Sequence, residues 1–183
     1  EGNIDLKAAA FKDGKMLGKV SGKKLYGNLI SGKSFTVTPP IGAAKGDILG
    51  ENDVLGTDIS TFGLTNGKRG NIASMTPWSG FRMNDACNKL VFIVEFEQPT
   101  TVSKVVFGSL YIPASVILPP SVATVETSSD GRKYDKMAEA SFKRNYPERG
   151  RKAFTDTLGF APKEVKYIKI TLQNGGTLRN GID

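Results

Sequence analysis

The side chains best suited to recognising a small polar ligand gather around the single tryptophan: Thr76-Pro77-Trp78-Ser79-Gly80, followed by Phe81, Arg82, Asn84 and Asp85. A flat aromatic ring covers the apolar face of a pyranose, and planar or bidentate donors such as Arg and Asn reach its hydroxyls. Both belong on loops held by a rigid scaffold. Trp78 also has a purely structural use, as a bulky plug packed on that scaffold, and the sequence leaves the two uses equally open. Tyr111, in Tyr111-Ile112-Pro113-Ala114-Ser115, is a candidate second platform. Its plainer reading is a strand end that shields the edge of the core. Tyr146 with Arg144, Arg149 and Arg151 forms an aromatic-basic group suited to acidic glycans, against the simpler reading of a solvated loop.

Catalysis has less to work with. The chain of 183 residues contains no His, which removes Ser-His-Asp and Cys-His nucleophile chemistry and His-ligated zinc. A lone Cys87 removes intrachain disulfides and thiolate metal clusters. Glu95 and Glu97 leave the same face of a strand, and glycoside hydrolysis needs two carboxylates about 5 to 9.5 Å apart. Phe92, Val94 and Phe96 occupy the opposite face, so that face is the buried one and the glutamates point to solvent. No catalytic residue is assigned. Asp47, Glu51, Asp53 and Asp58 lack the spacing of a helix-loop-helix calcium loop. Calcium held by loop geometry stays open, and metal ligands are unknown.

The balance of 25 Lys plus Arg against 18 Asp plus Glu gives a net charge of +7. The cations crowd two segments, Lys7 to Lys33 and Arg132 to Lys152, around the acidic stretch just named. Neither segment has the aromatic interleaving of a single-strand platform, so solvated faces are expected and nucleic acid is not. No apolar run approaches the ~18 residues of a membrane span. The first residues do not resemble a signal peptide, which suits either a cytosolic chain or the processed interior of a longer one.

The elements that must position these residues show period two rather than 3.6. Residues 90–96, 101–111 and 165–172 are rich in β-branched and aromatic types and predict strands. Asp13-Gly14 and Asp130-Gly131 each separate two strand-like runs and predict hairpins. Residues 136–144 follow the second of these turns and are read as a strand although their composition tolerates a helix. Pro39-Pro40, Pro119-Pro120, Pro147 and Pro162 fall between the runs and mark loops. The polar stretch 41–62, with Gly42, Gly46, Gly50 and Gly56, reads as a long functional or mobile loop. Many short strands with Gly/Pro turns imply an all-β fold, an antiparallel β-sandwich of the jelly-roll type. Residues 1–24 form a separate hairpin, too small to stand alone in water, and residues 25–183 form the sandwich.

Three segments in order, Leu64-Thr65-Asn66-Gly67-Lys68-Arg69-Gly70, then Trp78-Ser79-Gly80-Phe81, then residues 90–96 running into Thr100-Thr101-Val102-Ser103-Lys104-Val105, resemble the discoidin-like, coagulation-factor type C family. More narrowly they are similar to the galactose-binding-like modules appended to secreted glycoside hydrolases such as β-hexosaminidases. Leu118-Pro119, Ser128-Ser129-Asp130-Gly131 and the 165–172 strand continue the pattern, so the resemblance covers residues 61–181. The opening hairpin is similar to the end of the immunoglobulin-like domain that precedes this module in some of those hydrolases. Asn66 departs from the family's Asp, Glu95-Phe96-Glu97 from its Asp-Leu-Gly, and the chain stops at Asp183 before the usual closing strand. The first and third departures bear on the family's calcium site.

The resemblance implies a noncatalytic carbohydrate-binding module, secreted or periplasmic, tethering a covalently linked catalytic domain to a glycan, with Trp78, Phe81, Arg82, Asn84 and Tyr111 as binding residues. Two alternatives accompany it: a ligand-free structural spacer packed on a catalytic domain, and an anionic-polymer binder that uses the basic segments.

Overall fold

The computed structural model describes residues 4–25, 28–38, 63–65, 72–73, 78, 89–147 and 149–174. These residues form seven strands: β1 (Ile4–Lys12), β2 (Lys15–Leu25), β3 (Phe35–Thr38), β4 (Lys89–Tyr111), β5 (Pro120–Ser128), β6 (Asp135–Ser141) and β7 (Lys152–Asn174). Short 3-10 turns lie at Gly63–Thr65 and Pro113–Ser115. All strand pairing is antiparallel, and the all-β class that the periodicity implies is the one observed. The chain divides into two compact units, Glu1–Ser31 and Gly32–Asp183.

The first unit is the β1–β2 hairpin. Asp13 and Gly14 both have positive φ, 49° and 73°, the backbone that a two-residue primed turn requires and that an Asp-Gly pair adopts readily. A register shift between Ala8 and Ala10 adds a bulge. Phe11, Met16, Leu17 and Val20 are about half exposed or more.

The second unit is one five-stranded sheet in the order β3-β4-β7-β5-β6. Its interior follows the alternation of the sequence. Phe92, Val94 and Phe96 of β4 are buried while Glu95 and Glu97 between and beyond them are exposed. Ile168 and Val165 of β7 and Ala123 and Val125 of β5 complete the same core, at 3% exposure or less. Each buried aliphatic side chain contributes about 1.5–3 kcal/mol, so this alternation is what holds the sheet.

β4 and β7 are longer than the sequence suggests. The runs 90–96 and 101–111 are one continuous strand, and the run 165–172 extends back to Lys152. The register between them slips twice, between Glu95 and Thr100 and between Val102 and Lys104. Such bulges bend a strand without ending it. Pro162, expected in a loop, instead lies inside β7, and the reason is the second slip. Val102 pairs with Lys163 and Lys104 with Gly159, so residues 160–162 face no register partner and a missing N–H breaks no ladder bond. Beyond the bend, residues 100–111 pair with 152–165 as a two-stranded ribbon, while the first half of β4 pairs with both β3 and β7.

The β5–β6 connection is built by its own side chains. Ser128 Oγ accepts the N–H groups of Asp130 (3.2 Å) and Gly131 (2.9 Å). Asp130 Oδ1 accepts the N–H groups of Arg132 (2.8 Å) and Lys133 (3.1 Å) and the Ser128 hydroxyl (2.9 Å). Gly131 has φ +73°, and the Tyr167 ring lies so close that a β-carbon there would be 3.1 Å from Tyr167 Cζ. The strand expected over residues 136–144 is present as β6, which ends at Ser141. The stretch 41–62 and Pro39-Pro40 lie outside the described residues.

Candidate functional site

The far end of the β4–β7 ribbon carries a cluster of rings and cations. Cross-strand partners there are Tyr111 with Lys152, Ser109 with Phe154 and Phe107 with Asp156. Paired residues share a face of the ladder, so Phe107, Tyr111, Lys152, Phe154 and Asp156 all project to one side. The segment 142–147, which follows β6, packs its alternate side chains Phe142, Arg144 and Tyr146 onto that side.

Arg144 is the centre of this packing. Its guanidinium lies 4.6 Å from the Phe142 centroid and 4.5 Å from the Phe154 centroid. Nη2 donates to Asp156 Oδ2 at 2.6 Å and to the Pro120 carbonyl at 3.4 Å. The two charged side chains are 5% and 10% exposed. Phe142 also meets Phe107 edge-on, with centroids 6.0 Å apart. Arg144, which the sequence reading groups with the solvated basic residues, is therefore a buried structural ion pair. A guanidinium is weakly hydrated and flat, so it stacks between rings where a lysine would not.

Tyr146 caps the cluster. Its ring stacks on Tyr111, centroids 4.5 Å apart and planes at 22°, and meets Phe154 edge-on at 6.1 Å. Tyr111 is 5% exposed and Tyr146 is 41% exposed. Partial burial holds the Tyr146 hydroxyl above the usual phenol range, with the positive charge of Arg144 opposing that rise. Lys152 Nζ lies 5.0 Å from the Phe154 centroid and its side of the surface is exposed. Arg151 Nη1 donates to the Ile72 carbonyl at 3.4 Å.

Of the five binding residues expected from the sequence, two are described. Trp78 is half buried, and its Cζ3 and Cη2 atoms lie 3.6 and 3.7 Å from the position a β-carbon on Gly108 would take. The indole therefore lies over β4 at Gly108, close enough that a side chain larger than a methyl group there would meet it. Gly108 and Tyr111 are three residues apart on one strand, so Trp78 and Tyr111 occupy opposite faces of the ribbon. Tyr111 is covered by Tyr146 and is 5% exposed; among the described residues the exposed ring at this end is Tyr146. Phe81, Arg82 and Asn84 lie outside the described residues, as do Asn66, Asp47, Glu51, Asp53 and Asp58.

Phe142, Phe154 and Asp156 are not marked by the sequence reading, and Lys152 enters it only as the end of the second basic segment. The alternation of Phe154, Asp156 and Leu158 is the signal that could have marked residues 152–158 as a strand with an inward carboxylate.

The carboxylates named as a catalytic possibility lie elsewhere, on the exposed face of β4. Glu95 accepts the Tyr167 hydroxyl at 2.9 Å and pairs with Lys166 at 3.3 Å. Glu97 accepts from Lys33 Nζ at 2.6 Å, and that bond holds its carboxyl below the usual glutamate range. A general acid needs the opposite shift. Among the described residues no three acidic, His or Cys side chains gather as metal ligands, and no helix is long and apolar enough to cross a membrane.

No family model matches this chain, and no curated protein matches it. Solved structures do. A candidate α-L-fucosidase from Bacteroides thetaiotaomicron aligns at 14% identity with a TM-score of 0.49, over 82% of this chain and 26% of that one. This chain thus spans about a quarter of that protein's length. A chitosan-binding module of a chitosanase/glucanase from Paenibacillus sp. IK-5 aligns at 13% identity and TM-score 0.40, over 83% of this chain and 91% of the module. The Clostridium perfringens module CpGH89CBM32-5, solved with GalNAc-β-1,3-galactose, aligns at 14% identity and TM-score 0.41, over 79% and 86%. The structural neighbours of this chain include carbohydrate-binding modules of glycoside hydrolases.

Proposed function

We propose that this chain is a noncatalytic carbohydrate-binding module, part of a longer secreted or periplasmic glycoside hydrolase. The observation that carries the reading is Tyr146, a ring 41% exposed yet backed by the buried Tyr111 and flanked by Lys152. An aromatic surface held rigid from behind receives the apolar face of a sugar without losing side-chain entropy on binding. Lys152, exposed and held over the Phe154 ring that meets Tyr146 edge-on, offers a donor for hydroxyl or acidic substituents. Weak docking of this kind keeps a tethered enzyme near a polymeric glycan, because tethering raises effective concentration. The exposed apolar residues of the β1–β2 hairpin support its reading as the last hairpin of a preceding domain.

A second reading, a ligand-free spacer packed on a catalytic domain, is favoured by the seating of Trp78 on Gly108 and the burial of Tyr111. A glycan array followed by calorimetry with galactose and hexosamine oligosaccharides separates the two. The module reading expects binding that Tyr146→Ser removes; no binding to any sugar leaves the spacer.

A further inference from the structure

Of the described cations of the second unit, five surface lysines are neutralised: Lys33 pairs with Glu97, Lys136 with Glu139, Lys163 with Asp135, Lys166 with Glu95 and Lys169 with Glu126, all at 3.3 Å or less. Lys89, Lys104, Arg132 and Lys133 are exposed and have no carboxylate partner among the described residues. The segment around Tyr146 concentrates such unpaired cations. Residues 143–152 hold Lys143, Arg144, Arg149, Arg151 and Lys152 against a single acid, Glu148, which lies outside the described residues. Lys143, Arg149, Arg151 and Lys152 are exposed, and among the described residues none of them has a carboxylate within ion-pair distance. Asp156, the carboxylate of the described ring cluster, is paired with Arg144 in the buried contact against Phe154. Tyr146 therefore lies in a segment of exposed cations for which the described residues supply no counter-charge.

Resting on the reading of this surface as a sugar site, we infer that the sugar it takes is anionic, a pyranose bearing a carboxylate or a sulfate, with its ring on Tyr146 and its acidic group on Lys152. Lys152 is placed for this. It is the register partner of Tyr111, whose ring backs Tyr146, and its ammonium is held over Phe154, whose edge contact with Tyr146 makes the three rings one surface. Charge complementarity of this sort selects an acidic over a neutral ligand and makes binding sensitive to salt. A nucleic acid fits less well. Among the described residues of the second unit Tyr146 is the one aromatic exposed to this degree, where a single strand needs successive rings along a basic track.

The test is calorimetry on the full chain with three oligosaccharide probes, an oligogalacturonate, a sulfated chondroitin fragment and a neutral chito-oligosaccharide, with single-stranded DNA as a fourth. Each is measured at about 0.1 M and about 1 M salt, between which the screening length falls from about 10 Å to about 3 Å. The expected result is preference for one or both acidic sugars, weakened severalfold by salt. Lys152→Gln is expected to weaken that binding by up to about fivefold. Lys133→Gln, on the β5–β6 connection, leaves it unchanged. Comparing the carboxylated and sulfated probes tells which acidic group is recognised. Equal binding of neutral and acidic sugars with no salt effect overturns the inference and leaves the sugar site standing. Tighter binding of DNA than of any sugar overturns it in favour of a nucleic acid. Failure of every sugar removes the carbohydrate reading itself.

Discussion

Tyr146 lies stacked on Tyr111 at 4.5 Å, so one ring of the pair is 5% exposed and the other 41%. The buried ring belongs to β4 and the exposed one to the segment after β6, which makes Tyr146 an exposed residue with a rigid foundation. Tyr146→Ala is expected to lower stability by about 1 kcal/mol, the worth of an aromatic pair beyond its area, and to abolish sugar binding. Tyr146→Phe keeps the stack and the stability. Urea unfolding of the two variants checks this, and equal midpoints for Ala and Phe would show that the stack contributes nothing.

The Arg144–Asp156 pair is enclosed by Phe142 and Phe154. Removing one partner strands a charge out of water, so Arg144→Met and Asp156→Leu are each expected to cost about 3–5 kcal/mol. The double variant replaces both charges with apolar groups and is expected to recover much of that loss. A double-mutant cycle by chemical denaturation reads the coupling; strictly additive losses would mean the two side chains do not act as a pair.

Gly131 combines a left-handed backbone with a ring directly above it. Gly131→Ala is expected to destabilise by about 1–2 kcal/mol through the backbone alone, and further through the clash with Tyr167. In a Tyr167→Ser background only the backbone part should remain. Thermal melts of the two single variants and the double variant resolve the parts, and an identical penalty in both backgrounds rules out the ring contact.

The hydrogen bonds from the Arg132 and Lys133 amides, then that from Ser128, hold the Asp130 carboxyl below its ordinary value of 3.8. Because the folded state lowers this value, the stabilisation is complete above about pH 4 and is lost as pH falls through the folded-state value. Asp135, held down by Lys163, and Glu97, held down by Lys33, act in the same direction. Asp130→Asn should therefore differ from the parent in stability at neutral pH and converge with it as the solution is acidified. Unfolding midpoints measured from pH 7 down to about 2 check the trend, and a difference independent of pH would contradict it.

Gly108 leaves a space of ordinary contact depth beneath Trp78, since a β-carbon there would sit 3.6 Å from the indole. Gly108→Ala should be tolerated. Gly108→Leu should displace the ring and cost about 1–3 kcal/mol by overpacking. As Trp78 is the single tryptophan, its fluorescence reports the displacement directly as a red shift, and unchanged emission from the Leu variant would place the indole elsewhere.

Much of the fold was legible because its determinants are local. Alternation over residues 90–96 predicts which side chains face inward, and the pattern holds from Leu90 to Glu97. Asp13-Gly14 predicts its turn because positive φ at two successive residues is a demand few sequences meet. The continuity of β4 through Pro99 and of β7 through Pro162 was not legible. A proline reads as a break unless the partner strand is known to skip that position, and register is a property of two strands at once.

The same division runs through the candidate site. Residue type and period are properties of one stretch of chain, and they mark a basic, aromatic segment at residues 143–152 and a tyrosine ending a strand. That Arg144 turns inward to Asp156, that Tyr146 covers Tyr111 and that Trp78 falls on the other face of the ribbon becomes visible once the strands are paired. The physical reason is that these contacts join the end of β4, the segment after β6 and the start of β7. Such residues meet because the ladder register brings them together, and no local pattern encodes that register.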